Sequence, residues 1–285
     1  MQNKMINKIA IITGANRGIG KETALALALK KYTVVMACRN LVQAEVVCTE
    51  IKAQSANPNV FVYELDLSSF DSIHRFGKLF SENFGKLNIL INNAGITTKE
   101  YVITPDGFEK MIQTNSIGPY LLTKMLLPLF PAGEDNRIIN LSSDIYKMGN
   151  FSVEKLNNYH WVKAYAVSKY AQLLISFKLA GLLEEKGITV NAVHPGVVRT
   201  GIMLFNKWYD VFINLMLVTV YIDEKSGAEP SIYLATSEEM NGVTGKYFKR
   251  FANTKVKTNY LNEILMDKLY DYYETIYSKS IFADK

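Results

Sequence analysis

An unbroken apolar run, KIAIIT at residues 8–13, passes straight into GANRGIG and then into an Ala- and Leu-rich stretch at 19–31 with helical spacing. A strand apolar at every position belongs to a sheet covered on both faces. A helix following it at once implies a crossover to a parallel neighbour. The pattern then recurs. TVVMAC (33–38), NVFVYEL (59–65), LNILINN (87–93), residues 137–142 and GITVNAVHP (187–195) read as strands. Helices are expected at 41–54, 69–85, 106–128, 161–186 and 225–237, with a seventh strand at 244–248. Regular alternation of this kind predicts an α/β protein built on a doubly wound parallel sheet with right-handed crossovers. Such sheets bind ligands beyond the carboxyl ends of their strands.

No repeat, low-complexity tract or flexible linker breaks the 285 residues, so 1–285 reads as a single domain. A last helix is expected at 259–278, where Leu261, Leu265, Leu269, Tyr272 and Ile276 recur at helical spacing and would dock onto the core or a partner. The net charge of +5 is spread without a basic run, which gives no support to nucleic-acid binding. Three histidines and no Cys/His/acid cluster at ligand spacing give no metal site. Cys38 and Cys48 are the only cysteines and no secretory leader is visible, so reduced thiols and a cytoplasmic protein are expected. Residues 202–222 come nearest to a membrane span, but Asn206, Lys207, Asp210 and Asn214 interrupt them.

The glycines of the first turn are Gly14, Gly18 and Gly20. Glycine lets a backbone turn tightly and approach a pyrophosphate, and the following helix offers its N-terminus to the anion. Between the first strand and the first helix, this is the context of a dinucleotide site. An acid usually ends the second strand of an NAD enzyme, where it binds the ribose 2′-hydroxyl. Here Arg39 stands at that place, with Arg17 inside the glycine turn, and guanidinium groups match a 2′-phosphate. The expected cofactor is NADP.

Two residues four apart on a helix share a face. That spacing joins tyrosine to lysine at 120/124, 159/163, 165/169 and 221/225. By itself it does not choose among them.

TGANRGIG (13–20), NNAG (92–95), Asn115, NLSS (140–143), YAVSK (165–169) and HPGVVRT (194–200) occur in an order that resembles the short-chain dehydrogenase/reductase family over nearly the whole chain. ACRN (37–40), the stretch between Ser143 and Tyr165, and SGAEPSIYLATS (226–237) are similar to its retinol dehydrogenase branch, and to the protochlorophyllide reductases as well. The resemblance implies a Rossmann-type fold and hydride transfer between a nicotinamide and a carbonyl or alcohol carbon. It chooses Tyr165/Lys169, the pair that follows the serine and precedes the sixth strand. The nearest competitor, Tyr159/Lys163, would point about 120° away on one ideal helix.

In this scheme Tyr165 is the general acid or base, and Lys169 lowers its pKa and holds the nicotinamide ribose. Ser143, rather than Ser142, bonds the substrate oxygen. Asn115 would hold a water linking Lys169 to solvent, a role compatible with bonding to backbone as helix asparagines do. The implied cofactor contacts are Gly14, Asn16, Arg17, Gly18, Ile19, Gly20, Arg39, Asp66, Leu67, Asn93, Ala94, Gly95, Tyr165, Lys169, Pro195, Gly196, Val198 and Thr200. Asp66 would accept from the adenine amino group, while Ser68 or Ser69 caps the next helix. Asn92, Ala94 and Gly95 would shape the floor under the adenine ribose and stabilise the sheet. His194 is expected to pack or bond locally.

The substrate pocket would draw on 144–160 and on a lid at 201–222 rich in Met203, Leu204, Phe205, Trp208, Tyr209, Phe212 and Leu215. Such a lid favours a hydrophobic small molecule. Core packing, an oligomer face and peripheral membrane contact are its other readings. The resemblance also implies a homodimer through the long fourth helix and the helix at 161–186, a contact from which this branch can depart. A double-bond reductase and a non-catalytic NADP-binding sensor remain the alternative functions.

Overall fold

The computed structural model describes residues 8–149, 159–196 and 222–282. Its sheet has eight strands: β1 (Ile9–Thr13), β2 (Thr33–Cys38), β3 (Val60–Glu64), β4 (Ile89–Asn92), β5 (Asn136–Leu141), β6 (Ile188–His194), β7 (Tyr247–Lys249) and β8 (Ala252–Asn253). Their order is β3-β2-β1-β4-β5-β6-β7-β8, parallel throughout except for antiparallel β8. Every residue of β1, β2, β4 and β5 is buried. The pleat divides them between two cores. Ile9 and Ile11 pack with Phe76, Phe80, Leu122 and Leu174 on one face, and Ala10 and Ile12 with Leu27, Ala44, Ile51 and Leu234 on the other.

The helices are α1 (Gly18–Leu29), α2 (Leu41–Ser55), α3 (Phe70–Phe84), α4 (Lys110–Ile112), α5 (Gly118–Leu126), α6 (Trp161–Leu183), α7 (Glu224–Thr236) and α8 (Glu263–Phe282). Caps set several of their starts. Asn40 accepts from Gln43 N–H before α2, Ser69 from Ser72 N–H before α3, and Asp223 from Ser226 N–H before α7.

The long helix expected at 106–128 has a different form. It starts at α4, where the Glu109 carboxylate accepts from Ile112 N–H at 2.8 Å. It then widens into a π-helical turn at Gln113–Ile117 before α5. The expected seventh strand lies slightly later, at Tyr247–Lys249. The final helix begins at Glu263, and Tyr273 rather than Tyr272 faces inward, with exposures of 1% and 54%. It crosses α3, α5 and α6 through His74–Ser280, Lys124–Glu274 and Lys178–Asp267. The expected lid lies outside the described residues apart from Ile222. Among the described residues, no helix is long and apolar enough to cross a membrane. Cys38 and Cys48 are free and buried.

Candidate active site

A cleft of about 710 Å³ opens at the carboxyl ends of the central strands. Its first wall is the glycine turn. Gly14 and Gly18 hold φ of +66° and +57°, values that favour glycine. A Cβ on Gly20 would come within 2.4 Å of the Gly14 carbonyl oxygen and 2.6 Å of Asn93 Nδ2, so no side chain fits there. Unlike α2, α3 and α7, helix α1 has no side-chain cap at its N-cap residue, Arg17. Its first N–H groups therefore face the cleft as an anion site. This cradle fits the pyrophosphate of a dinucleotide. Gly14, Asn16, Arg17, Gly18, Ile19 and Gly20 all line it.

The segment after β4 braces the turn. Asn93 Nδ2 donates to the Thr13 carbonyl at 2.7 Å, and Ala94 N–H donates to Thr13 Oγ1 at 2.9 Å. Asn93, Ala94 and Gly95 reach the cleft. Asn92 does not form part of its floor. Its side chain donates to Asn140 Oδ1 at 2.8 Å inside the sheet, which is the stabilising half of its expected role. Arg17 and Arg39 lie exposed at the outer end with Asn40 and Gln43. Sequence reasoning missed Gln43, whose Oε1 accepts from Asn16 Nδ2 at 2.8 Å. Asp66 and Leu67 line the same end. One Asp66 oxygen accepts from both the Ser68 N–H and its hydroxyl, while Ser69 caps α3.

Further in, Ser143, Tyr165 and Lys169 come together on the cleft wall. Burial pushes the Tyr165 phenol up to about 12, against the opposing effect of its hydrogen bond with Ser143. Ser142 also lines the cleft but is 4% exposed, with its hydroxyl unpartnered among the described residues. Burial also pulls the Lys169 ammonium down to about 7. Its Nζ donates to the Leu141 carbonyl at 2.7 Å and to Gln172 Oε1 at 3.0 Å. The lysine is thus held from the sheet side. The expected lowering of the tyrosine pKa by its charge is not the dominant effect in this arrangement.

The turn carrying Ser143 is pinned by its neighbour. Asp144 bonds Lys249 at 2.5 Å, Lys147 at 3.0 Å and the Tyr247 hydroxyl at 2.9 Å. Burial raises its pKa, but these donors outweigh burial and bring it to about 2. His194 lines the cleft, is pulled down chiefly by burial, and leaves Nδ1 without a hydrogen-bond partner among the described residues.

Asn115 sits in the π-turn, fully buried. Its Oδ1 accepts from Ile96 N–H at 2.8 Å, and its Nδ2 donates to the Ile96 carbonyl at 3.0 Å and to Ser168 Oγ at 3.0 Å. Two of these bonds are the expected ones to backbone, and the third joins the helix that carries Tyr165 and Lys169. The competing tyrosines have other partners. Tyr159 donates to the Thr98 carbonyl and lies before α6, while Lys163 is exposed. Tyr120 and Lys124 both bond Glu274. Tyr221 lies outside the described residues.

Pro195 and Gly196 line the cleft, and Val198 and Thr200 lie outside the described residues. Ile96, Thr97, Ile145, Trp161 and Val162 also line the cleft. Trp161 and Val162 were legible in principle, because they precede Tyr165 by four and three residues on its helix.

The family model described as short chain dehydrogenase matches residues 8–208. The chain belongs to the short-chain dehydrogenase family. Within this family of oxidoreductases it resembles the retinol dehydrogenases. It is 39% identical to retinol dehydrogenase 13 of Mus musculus over 250 residues, which cover 85% of this chain and 75% of the relative. It is 37% identical to retinol dehydrogenase 11 of the same species, covering 93% and 84%. A solved structure of an uncharacterised protein from Mycobacterium paratuberculosis superposes with a TM-score of 0.77 at 28% identity, covering 95% of this chain and 93% of that one. A metagenomic blue fluorescent protein, solved with NADPH, shares the fold with a TM-score of 0.69 at 24% identity, covering 85% and 95%. As a member of this family, the chain is an enzyme with a nicotinamide cofactor, which the glycine cradle fits.

Proposed function

We propose that this enzyme uses NADP to interconvert a carbonyl and an alcohol on a hydrophobic small molecule, such as a retinal-like compound, an aliphatic aldehyde or a ketone. The observation that carries the reading is the Ser143–Tyr165 pair, with Lys169 one turn on, at the inner end of a cleft whose outer end presents Arg17 and Arg39. The two guanidinium groups support NADP over NAD, because their donors match a 2′-phosphate. The cofactor, when bound, supplies or takes up the hydride.

In reduction, the Tyr165 hydroxyl gives its proton to the substrate oxygen. The high pKa of the buried phenol keeps that proton in place at neutral pH. Ser143 donates a hydrogen bond to the same oxygen as negative charge develops on it. The Lys169 ammonium attracts the phenolate left behind and bonds the nicotinamide ribose. Ile96, Ile145, Trp161 and Val162 give the inner end an apolar lining and exclude water from the reacting oxygen. The names of the retinol dehydrogenase relatives agree with an apolar substrate.

The test is NADPH oxidation by purified protein with medium-chain aldehydes, retinal and cyclic ketones, with NADH in parallel and Tyr165→Phe as control. The expected result is turnover selective for NADPH and abolished in the variant. NADPH binding without turnover of any carbonyl would favour a sensor. A product that has lost a C=C bond would favour a double-bond reductase. Failure to bind NADPH would refute the reading of the arginines.

A further inference from the structure

The two acceptors that hold Lys169 differ in kind. Leu141 offers a main-chain carbonyl fixed by the sheet, whereas Gln172 offers a side chain one turn further along α6. Gln172 is 3% exposed, and its Nε2 has no hydrogen-bond partner among the described residues. Leaving a buried N–H₂ unpaired is unfavourable. The reversed amide would be worse, since it would set N–H₂ against an ammonium that can only donate. The orientation of Gln172 is therefore explained by Lys169. An ammonium has three N–H groups. With two directed at Leu141 and Gln172, the third remains for the cleft, where Nζ lies 3.5 Å from the place of a Cβ on Gly95.

We propose that Gln172 is a positioning residue for the proton-transfer pair: its Oε1 fixes the direction of Lys169 Nζ and favours ammonium over amine at that buried place. This rests on the reductase reading above. The charged and titratable groups that share the cleft lining with Lys169 are Tyr165 on its own helix, Asp144 after β5 and His194 at the end of β6, with Asp66, Glu224, Arg17 and Arg39 elsewhere on its walls. Asp144 is already bonded to Lys147, Lys249 and Tyr247. Residues 93–95 and the π-turn at 113–117 present no ionisable side chain. Gln172 is thus the side chain bonded to Nζ that substitution can change without altering a charge already in the site.

Gln172→Met removes the acceptor at similar volume, and Gln172→Glu replaces it with a carboxylate. Nζ of Lys169 would be titrated by NMR on protein labelled with ¹⁵N-lysine, its signal assigned with Lys169→Met. The midpoint should fall by about one unit in Gln172→Met and rise by about one unit or more in Gln172→Glu. In NADPH-linked reduction, the limb on which kcat falls with rising pH should move the same two ways. A purely structural role would lower kcat or thermal stability in both variants without opposite shifts. Midpoints unchanged in both folded variants would overturn the proposal. Midpoints that move while wild type reduces no carbonyl would support the coupling of Gln172 to Lys169 and refute the reductase reading alone.

Discussion

Replacing Asn115 with alanine should uncouple the loop after β4 from the helix that carries Tyr165 and Lys169. The side chain bonds both polar backbone groups of Ile96 and the Ser168 hydroxyl, at 2.8, 3.0 and 3.0 Å. Each such bond contributes about 1 kcal/mol net, so the three together are worth about 3 kcal/mol. Alanine returns up to about 0.7 kcal/mol through its better helix propensity. The net loss is about 2–3 kcal/mol, which in a chain of this size lowers the melting temperature by roughly 3–5 °C. Circular dichroism melts at pH 7 measure this directly. A melting temperature within about 1 °C of wild type would refute the idea that Asn115 ties these segments together. Asn115→Asp is the sharper control. It keeps the acceptor for Ile96 N–H but sets carboxylate oxygens against the Ile96 carbonyl. Only its protonated form can donate there, so its folded-state pKa is raised and its stability falls as pH rises through the carboxyl range.

Other consequences can be checked independently. Arg39→Ala should weaken NADPH binding at least tenfold in fluorescence titrations and leave NADH unchanged; equal losses for both would discount a 2′-phosphate contact. Lys169 sits at about 7 in the fold against 10.5 ordinarily, so between these values the unfolded chain binds a proton that the folded chain lacks. Stability should therefore rise with pH through that window. Lys169→Met should flatten the rise between pH 7 and 9 in thermal melts, and an unchanged slope would contradict the burial of the ammonium. Glu274 bonds Lys124 at 2.8 Å and also the Tyr120 hydroxyl. Glu274→Ala should remove the acceptor that both groups share and make α8 the first site of limited proteolysis, with wild-type cleavage kinetics as the contrary result.

Much of the sheet was legible because its central strands are apolar at every position, a pattern that survives ignorance of the partners. Helix starts were less legible. The periodicity suggests a helix from 106, but Asp106 accepts from Phe70 N–H and Gln113 Nε2, and Glu109 supplies the cap. All three are polar choices and the first is long-range, so a hydrophobic pattern does not show them. β8 has two exposed residues and no pattern to find. At the end of the chain, adjacent tyrosines both satisfied helical spacing, and a bond from Tyr273 to Ser116 Oγ at 2.8 Å accompanies the inward placement of one. In the cleft, spacing placed Tyr165 and Lys169 together. The expectation about their charges took no account of desolvation, because burial is a property of the folded surroundings. Gln172 carried no signal at all, since its role depends on where the lysine turns.

The position of α8 bears on assembly. Tyr120 and Lys124 of α5 and Lys178 of α6 already bond residues of α8. A second copy approaching those two helices would compete with a segment tethered to the same chain. Such a tether corresponds to an effective concentration on the order of millimolar. A free subunit would have to match that local excess before it could pair through this face.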